Sequence, residues 1–204
     1  MRMRYFGDSY DIVKQSFLRW LRSFGEWSVH PMFTEPVTPN DVDAFQALLG
    51  AKIVSTEVLT RDTDRSKYFS CARCCGHLFL DPDTGLLLDS DTGLRMRSTR
   101  GVRAPQYLFA SELVRMSEQR PKSLTLLFDQ SVGRGSERAH LKDQLRHLRH
   151  HGVFGTAFVS HACFVIAGRD RGLVEHARTQ IITESKLPPS RFLPRSRRIT
   201  KRCT

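Results

Sequence analysis

The sequence predicts an α/β fold: a mostly parallel, Rossmann-like sheet in three layers, with helices on both faces. Three observations lead there. Short apolar or β-branched runs alternate along the chain with segments of helical periodicity, the order that builds βα units. Ser123–Phe128 is apolar almost without interruption, as a strand covered on both faces must be. Hydrophobic residues make up 40% of the 204, with thirteen Phe among them, which suffices for one sizeable core and excludes a wholly disordered chain.

Each element follows from local chemistry. Met3–Phe6 is a short strand, and Gly7-Asp8-Ser9 supplies a turn and an N-cap. Tyr10–Phe24 sets Ile12, Val13, Phe17, Leu18, Trp20 and Leu21 at helical spacing, and Gly25 stops it. Trp27–Phe33 is a second strand, closed by a Pro-rich loop. Asp41–Leu49 is a helix capped by Asn40 and ended by Gly50. Lys52–Leu59 reads as a strand through Ile53, Val54 and Val58, and residues 60–75 are polar and irregular. His77–Leu80 is a strand running into Asp81-Pro82-Asp83-Thr84-Gly85. Pro105–Glu118 is helical, and the buried strand ends at Asp129. A glycine-containing loop leads to a long helix, Glu137–His151. Ala157–Ala167 alternates as a strand or hairpin arm, and Leu173–Glu184 is the last helix, stopped before Pro188.

At roughly 100–200 residues per domain, residues 1–185 form a single domain. Residues 186–204 read as a flexible basic tail. Lys186, Arg191, Arg195, Arg197, Arg198, Lys201 and Arg202 meet no acid there, so seven of the eleven net positive charges lie in the last nineteen residues. Such tails contact phosphate backbones through counterion release. Arg95, Arg97, Arg100, Arg103, Arg134 and Arg138 repeat the theme inside the domain, and nucleic acid, DNA or RNA, is the expected partner. No stretch reaches the ~20 apolar residues of a membrane span. Met1–Phe6 runs into Gly-Asp-Ser rather than an apolar segment, so a cytoplasmic location is expected.

The candidate chemistry sits where strands end. Asp8, Asp81 with Asp83, and Asp129 each follow a strand at its carboxyl end, the edge where α/β sheets place their ligands. Carboxylates brought together repel unless a cation holds them, and Mg²⁺ favours an all-oxygen shell. Asp8, Asp81 and Asp129 are thus candidate magnesium ligands that could activate water against a phosphodiester. The alternative is that each Asp caps a helix or turn. Ser131-Val132-Gly133-Arg134-Gly135-Ser136 between strand and helix could cradle a phosphate with Gly135 and Ser136, clamped by Arg134 and Arg138, or serve as a connector with Ser136 as N-cap. Cys71, Cys74, Cys75 and His77 are either a zinc cluster or small residues entering a strand. Asp89-Ser90-Asp91-Thr92-Gly93-Leu94 nearly repeats residues 81–86, but its glycine falls at the fifth position, which argues against a calcium loop and favours a hairpin turn. His147 and His151 are spaced to chelate a metal, though with His140 and His150 they read better as a solvated basic face.

Gly7-Asp8-Ser9-Tyr10-Asp11-Ile12-Val13-Lys14 resembles the opening Gly-Asn-x-Ala-Asp-Val-Leu-Lys of bacterial 23S ribosomal RNA adenine-N6 methyltransferases. It is also similar to uncharacterised bacterial proteins with a Gly-Asp-x-x-Lys start, whose later strand ends in Asp-Pro-Asp-Asn/Thr-Gly as Asp81–Gly85 does here. The resemblance implies a Rossmann-like methyltransferase fold and, as one activity, S-adenosylmethionine-dependent methyl transfer to nucleic acid. Asp81-Pro82 matches half of the family's Asp-Pro-Pro-Tyr motif, with Asp83-Thr84 in place of Pro-Tyr. His30-Pro31-Met32-Phe33-Thr34-Glu35 stands where the family carries its glycine-rich donor loop.

Together these readings favour a metal-dependent nuclease, with a role in defence against mobile DNA. Asp8, Asp81 and Asp129 would hold Mg²⁺, Asp83 and Lys14 would assist, and Arg134, Arg138, Arg195, Arg197 and Arg198 would hold the backbone. An active or decayed methyltransferase is the alternative, and a non-catalytic nucleic-acid-binding module is the third reading.

Overall fold

A computed structural model describes residues 6–88, 104–131 and 135–194. The expectations for residues 3–5, Asp89–Leu94, Arg95, Arg97, Arg100, Arg103, Arg134, Arg195, Arg197 and Arg198 fall outside those residues.

The chain forms a seven-stranded mixed sheet in the order β2-β1-β3-β6-β8-β7-β9. The strands are β1 (Trp27–His30), β2 (Lys52–Ile53), β3 (His77–Leu80), β6 (Thr125–Asp129), β7 (Phe154–Phe158), β8 (Cys163–Gly168) and β9 (Phe192–Leu193). β1, β2, β3 and β6 pair in parallel. β8 runs antiparallel between β6 and β7, and β9 runs antiparallel to β7, so all strands but β8 and β9 share one direction. A small parallel pair, β4 (Gly85–Leu87) and β5 (Tyr107–Phe109), stands apart.

Among the described residues six α-helices accompany the sheet: α1 (Ser9–Trp20), α2 (Pro39–Leu49), α3 (Arg65–Tyr68), α4 (Ala110–Gln119), α5 (Glu137–His150) and α6 (Arg171–Ser185). Strand alternation sorts the core into two halves. Phe79, Leu126, Phe128, Phe164 and Ile166 pack with α1, α2 and α6 through Phe17, Phe45 and Ile181. Leu78, Leu80, Leu127 and Val165 pack with α4 and α5 through Leu113, Met116, Leu141 and Leu148. Both faces are therefore covered, which is why β3, β6 and β8 are apolar at consecutive positions. Phe17 shows the packing: fully buried, it stacks on Phe164 at 4.1 Å, a burial that stabilises by about 1.5–3 kcal/mol. Among the described residues no helix is long and apolar enough to cross a membrane.

Five expectations are corrected. The strands expected over Trp27–Phe33 and Lys52–Leu59 stop at His30 and Ile53. Met32, at φ 50°, turns the chain out of the first, and β2 is the sheet edge, with β1 as its one neighbour. Pro105–Glu118 is not one helix: β5 occupies Tyr107–Phe109, because pairing with β4 captures it before α4 begins. Ala157–Ala167 is the two halves of the β7–β8 hairpin, broken at Val159–Ala162. The chain after α6 does not leave the domain at residue 186, since Phe192 and Leu193, fully buried, pair with Phe158 and Ala157 as β9.

Candidate functional site

The chain goes from β1 outward to β2, then returns past β1 to β3, so the strand order reverses between β1 and β3. The crevice beyond the carboxyl ends at such a point is where open α/β sheets bind ligands. A cleft of about 470 Å³ lies beside it, lined by Asp8, Tyr10, Asp11 and Lys14 of the α1 start, Asp81–Asp83 after β3, Gln106, Phe128 of β6 and Gln130 just after it.

Its base is a buried ion cluster. Lys14 Nζ donates to Asp81 Oδ2 at 2.9 Å and to Asp11 Oδ1 at 3.0 Å, and it lies 4.6 Å from the centre of the Phe128 ring. Asp11 Oδ2 accepts from Gly7 N at 2.9 Å. All three charged side chains are buried. Burial alone would lower the Lys14 pKa, but the Asp81 and Asp11 carboxylates carry it above its ordinary value, so the ammonium stays charged and is no general base. Burial pushes the Asp81 carboxyl up, against the pull of the Lys14 ammonium 2.9 Å away.

The expected site residues separate accordingly. Asp8 caps α1, its Oδ1 accepting from Tyr10 N at 2.8 Å and Asp11 N at 3.1 Å. Asp83 lines the cleft. Asp129 does not join them. It follows Phe128 in β6 and so points to the opposite face, where Oδ1 accepts from Ser131 N and Ser131 Oγ and Oδ2 from Gln144 Nε2 at 2.8 Å. Gly85 makes room for it, since a Cβ there would collide with the Asp129 carboxylate. The three-carboxylate magnesium set is thus not assembled: Asp8 and Asp81 face one cleft, Asp129 turns away, and the cation between carboxylates is Lys14. Among the described residues no three His, Cys, Asp or Glu are grouped to hold a metal.

The other expected ligands are engaged elsewhere. His77 Nδ1 accepts from Leu124 N at 3.0 Å and Nε2 contacts Phe24 O at 2.9 Å, so its ring holds the backbone rather than completing a zinc site with Cys71 and Cys75. His147 and His151 rings lie 4.7 Å apart. His30, Pro31, Met32 and Phe33, which stand where the resembled family carries its donor loop, are all buried. Gly135 takes φ 88°, and Ser136 stands at the α5 N-cap position without a side-chain capping bond.

A second concavity lies at the other end of the sheet. β9 covers β7 only at Ala157 and Phe158, leaving the outer edge at Phe154 and Gly155 without a strand partner among the described residues. The resulting groove, about 660 Å³, has α5 and α6 as walls. Arg138, Lys142, Arg146 and Arg149 of α5 and Arg171 of α6 line it, against one acid, Glu175. Arg138 Nη2 donates to Ser190 O at 2.8 Å, while its buried Nη1 has no partner. Arg146 pairs at 2.8 Å with exposed Asp143, a surface contact that contributes little. Among the described residues no acid pairs with Lys142, Arg149 or Arg171. The floor is apolar, built by Leu145, Phe154, Val174 and Leu193. Gly155 admits Leu145, whose Cδ2 would lie 2.7 Å from an added Cβ.

Of this groove the sequence reading found only Arg138. The signal was available: residues 138, 142, 146 and 149 recur at one-turn spacing and share a helix face. Asp11, three residues before Lys14, was missed in the same way. Comparison of the chain with protein-family models, curated proteins and solved structures finds no match.

Proposed function

We propose that this protein binds nucleic acid, with the α5–α6 groove as its backbone-binding surface. The observation that carries the reading is the groove's charge, five cations against one carboxylate, three of those cations without an acid partner among the described residues. Unpaired cations at one-turn spacing suit a phosphate chain, which releases counterions on binding. Pro194 lines the groove, and Arg195, Arg197 and Arg198 follow it in sequence, extending the same positive charge.

The order reversal between β1 and β3, with a cleft beside it, supports a Rossmann-like reading of the parallel half. It does not extend to a reaction. The geometry favours binding over either reaction, since Asp129 turns away from Asp8 and Asp81 and residues 30–33 are buried. The protein is therefore read as a binding module.

Fluorescence anisotropy with a labelled oligonucleotide over a salt series tests this. For four to five phosphate contacts, log K should fall with log[salt] with a slope of about −3 to −4.5. Lys142→Ala with Arg149→Ala should reduce the slope by about 2 and weaken binding roughly thirtyfold. No binding at low salt, or an unchanged slope in the double variant, refutes the assignment.

A further inference from the structure

We infer that the groove takes single-stranded nucleic acid, with an unstacked base on the Phe154 ring and its phosphates along the α5 cations. This rests on the nucleic-acid reading above and adds the substrate class. The floor is the reason. A cationic wall alone would serve any polyanion, but the half-buried Phe154 ring, seated on buried Leu145, Val174 and Leu193, presents an apolar surface that phosphate does not use. Bases of a single strand need such a surface: stacking on an aromatic side chain is sequence-tolerant because every base has a π-face.

Phe154 is placed for that role. It is half-buried, its inner side packed on the α6 half of the core, and among the described residues no other ring stacks on it. The shape agrees. A duplex is read by a helix or ribbon that projects into its major groove, about 12 Å wide. Here α5 and α6 are walls and the apolar residues lie recessed between them. The volume, about 660 Å³, is that of a site enclosing a small ligand or a base with its sugar.

The test is anisotropy with the full chain, comparing a labelled oligothymidylate, its duplex with oligoadenylate, and polyglutamate as competitor. The strand should bind about tenfold more tightly than the duplex at equal salt, and polyglutamate should compete poorly. Phe154→Leu keeps apolar volume but removes the flat ring; it should weaken strand binding about tenfold and leave duplex binding unchanged. Phe154→Trp should restore strand binding, with its indole emission quenched on saturation. Equal affinity for strand and duplex with Phe154→Leu silent overturns the inference but leaves nucleic-acid binding intact. Polyglutamate competing as well as the strand overturns it in favour of an acidic polypeptide. If neither nucleic acid binds, the functional proposal itself falls.

Discussion

The cleft at the carboxyl edge and the groove at the β7 edge are both charged, yet they treat charge in opposite ways. In the cleft, Lys14 is buried between Asp11 and Asp81 and meets both carboxylates within 3.0 Å. In the groove, Lys142, Arg149 and Arg171 are exposed, and among the described residues no acid pairs with them. Charge satisfied inside the molecule orders the fold, since removing one partner strands another in low dielectric. Charge left unpaired on the surface adds almost nothing to folding and remains for a partner.

The sharpest way to break this contrast is to remove one cation from each region. Lys14→Met should cost about 3–5 kcal/mol in urea unfolding, because Asp11 and Asp81 stay buried without a cation. Arg149→Met should change stability by less than about 0.5 kcal/mol. A Lys14→Met protein as stable as the parent would mean that the cleft charges are not coupled to the fold. The variant also has a pH signature. The folded-state pKa of Asp81 lies above its unfolded value, and losing Lys14 raises it further. The folded state then takes up protons more readily than the unfolded one, so the deficit should shrink as pH falls from 7 to 5.

His30 gives a second, smaller test, of a buried group that stays neutral. It is fully buried against Tyr68 and Phe69, and neither ring nitrogen has a hydrogen-bond partner. Burial pushes its pKa down to about 4. A depressed histidine keeps full stability above its unfolded value near 6.5 and loses it as pH falls toward 4. Between pH 7 and 5 the protein should lose about 2 kcal/mol, and His30→Phe should lose much less. Urea midpoints at the two pH values decide it; equal losses in both proteins would remove His30 as the cause.

The least effect is expected at Asp8, which lines the cleft but is bonded to the α1 backbone. Asp8→Ala should cost about 1 kcal/mol and Asp8→Asn almost nothing, because Asn caps as well. A large loss in Asp8→Asn, read by thermal melting, would show that the Asp8 charge belongs to the cleft cluster rather than to the cap.

Much of the fold was legible because its determinants are local. Helical spacing located α1, α5 and α6, and the apolar runs at residues 77–80 and 123–128 located β3 and β6, adjacent strands in the middle of the sheet. What misled was chemistry without periodicity. Residues 107–109 form a strand only because β4 pairs with them, and Phe192 and Leu193 look like part of a basic tail until β7 offers them an edge. The candidate carboxylates were found by their place after strands, but which face each one takes depends on a single residue of register: Asp81 follows Leu80 toward α1, Asp129 follows Phe128 toward α5.

The sequence by itself determined an α/β chain with a double-sided core, a concentration of positive charge and a set of Asp residues at strand ends, because composition, spacing and propensity act over a few neighbouring residues. Only the tertiary structure decided that Lys14 occupies the place between two carboxylates, that Asp129 belongs to the other face, and that four α5 cations meet Phe154 across a groove. These depend on which elements pack together, a sum of contacts between residues distant in the chain that no local window contains.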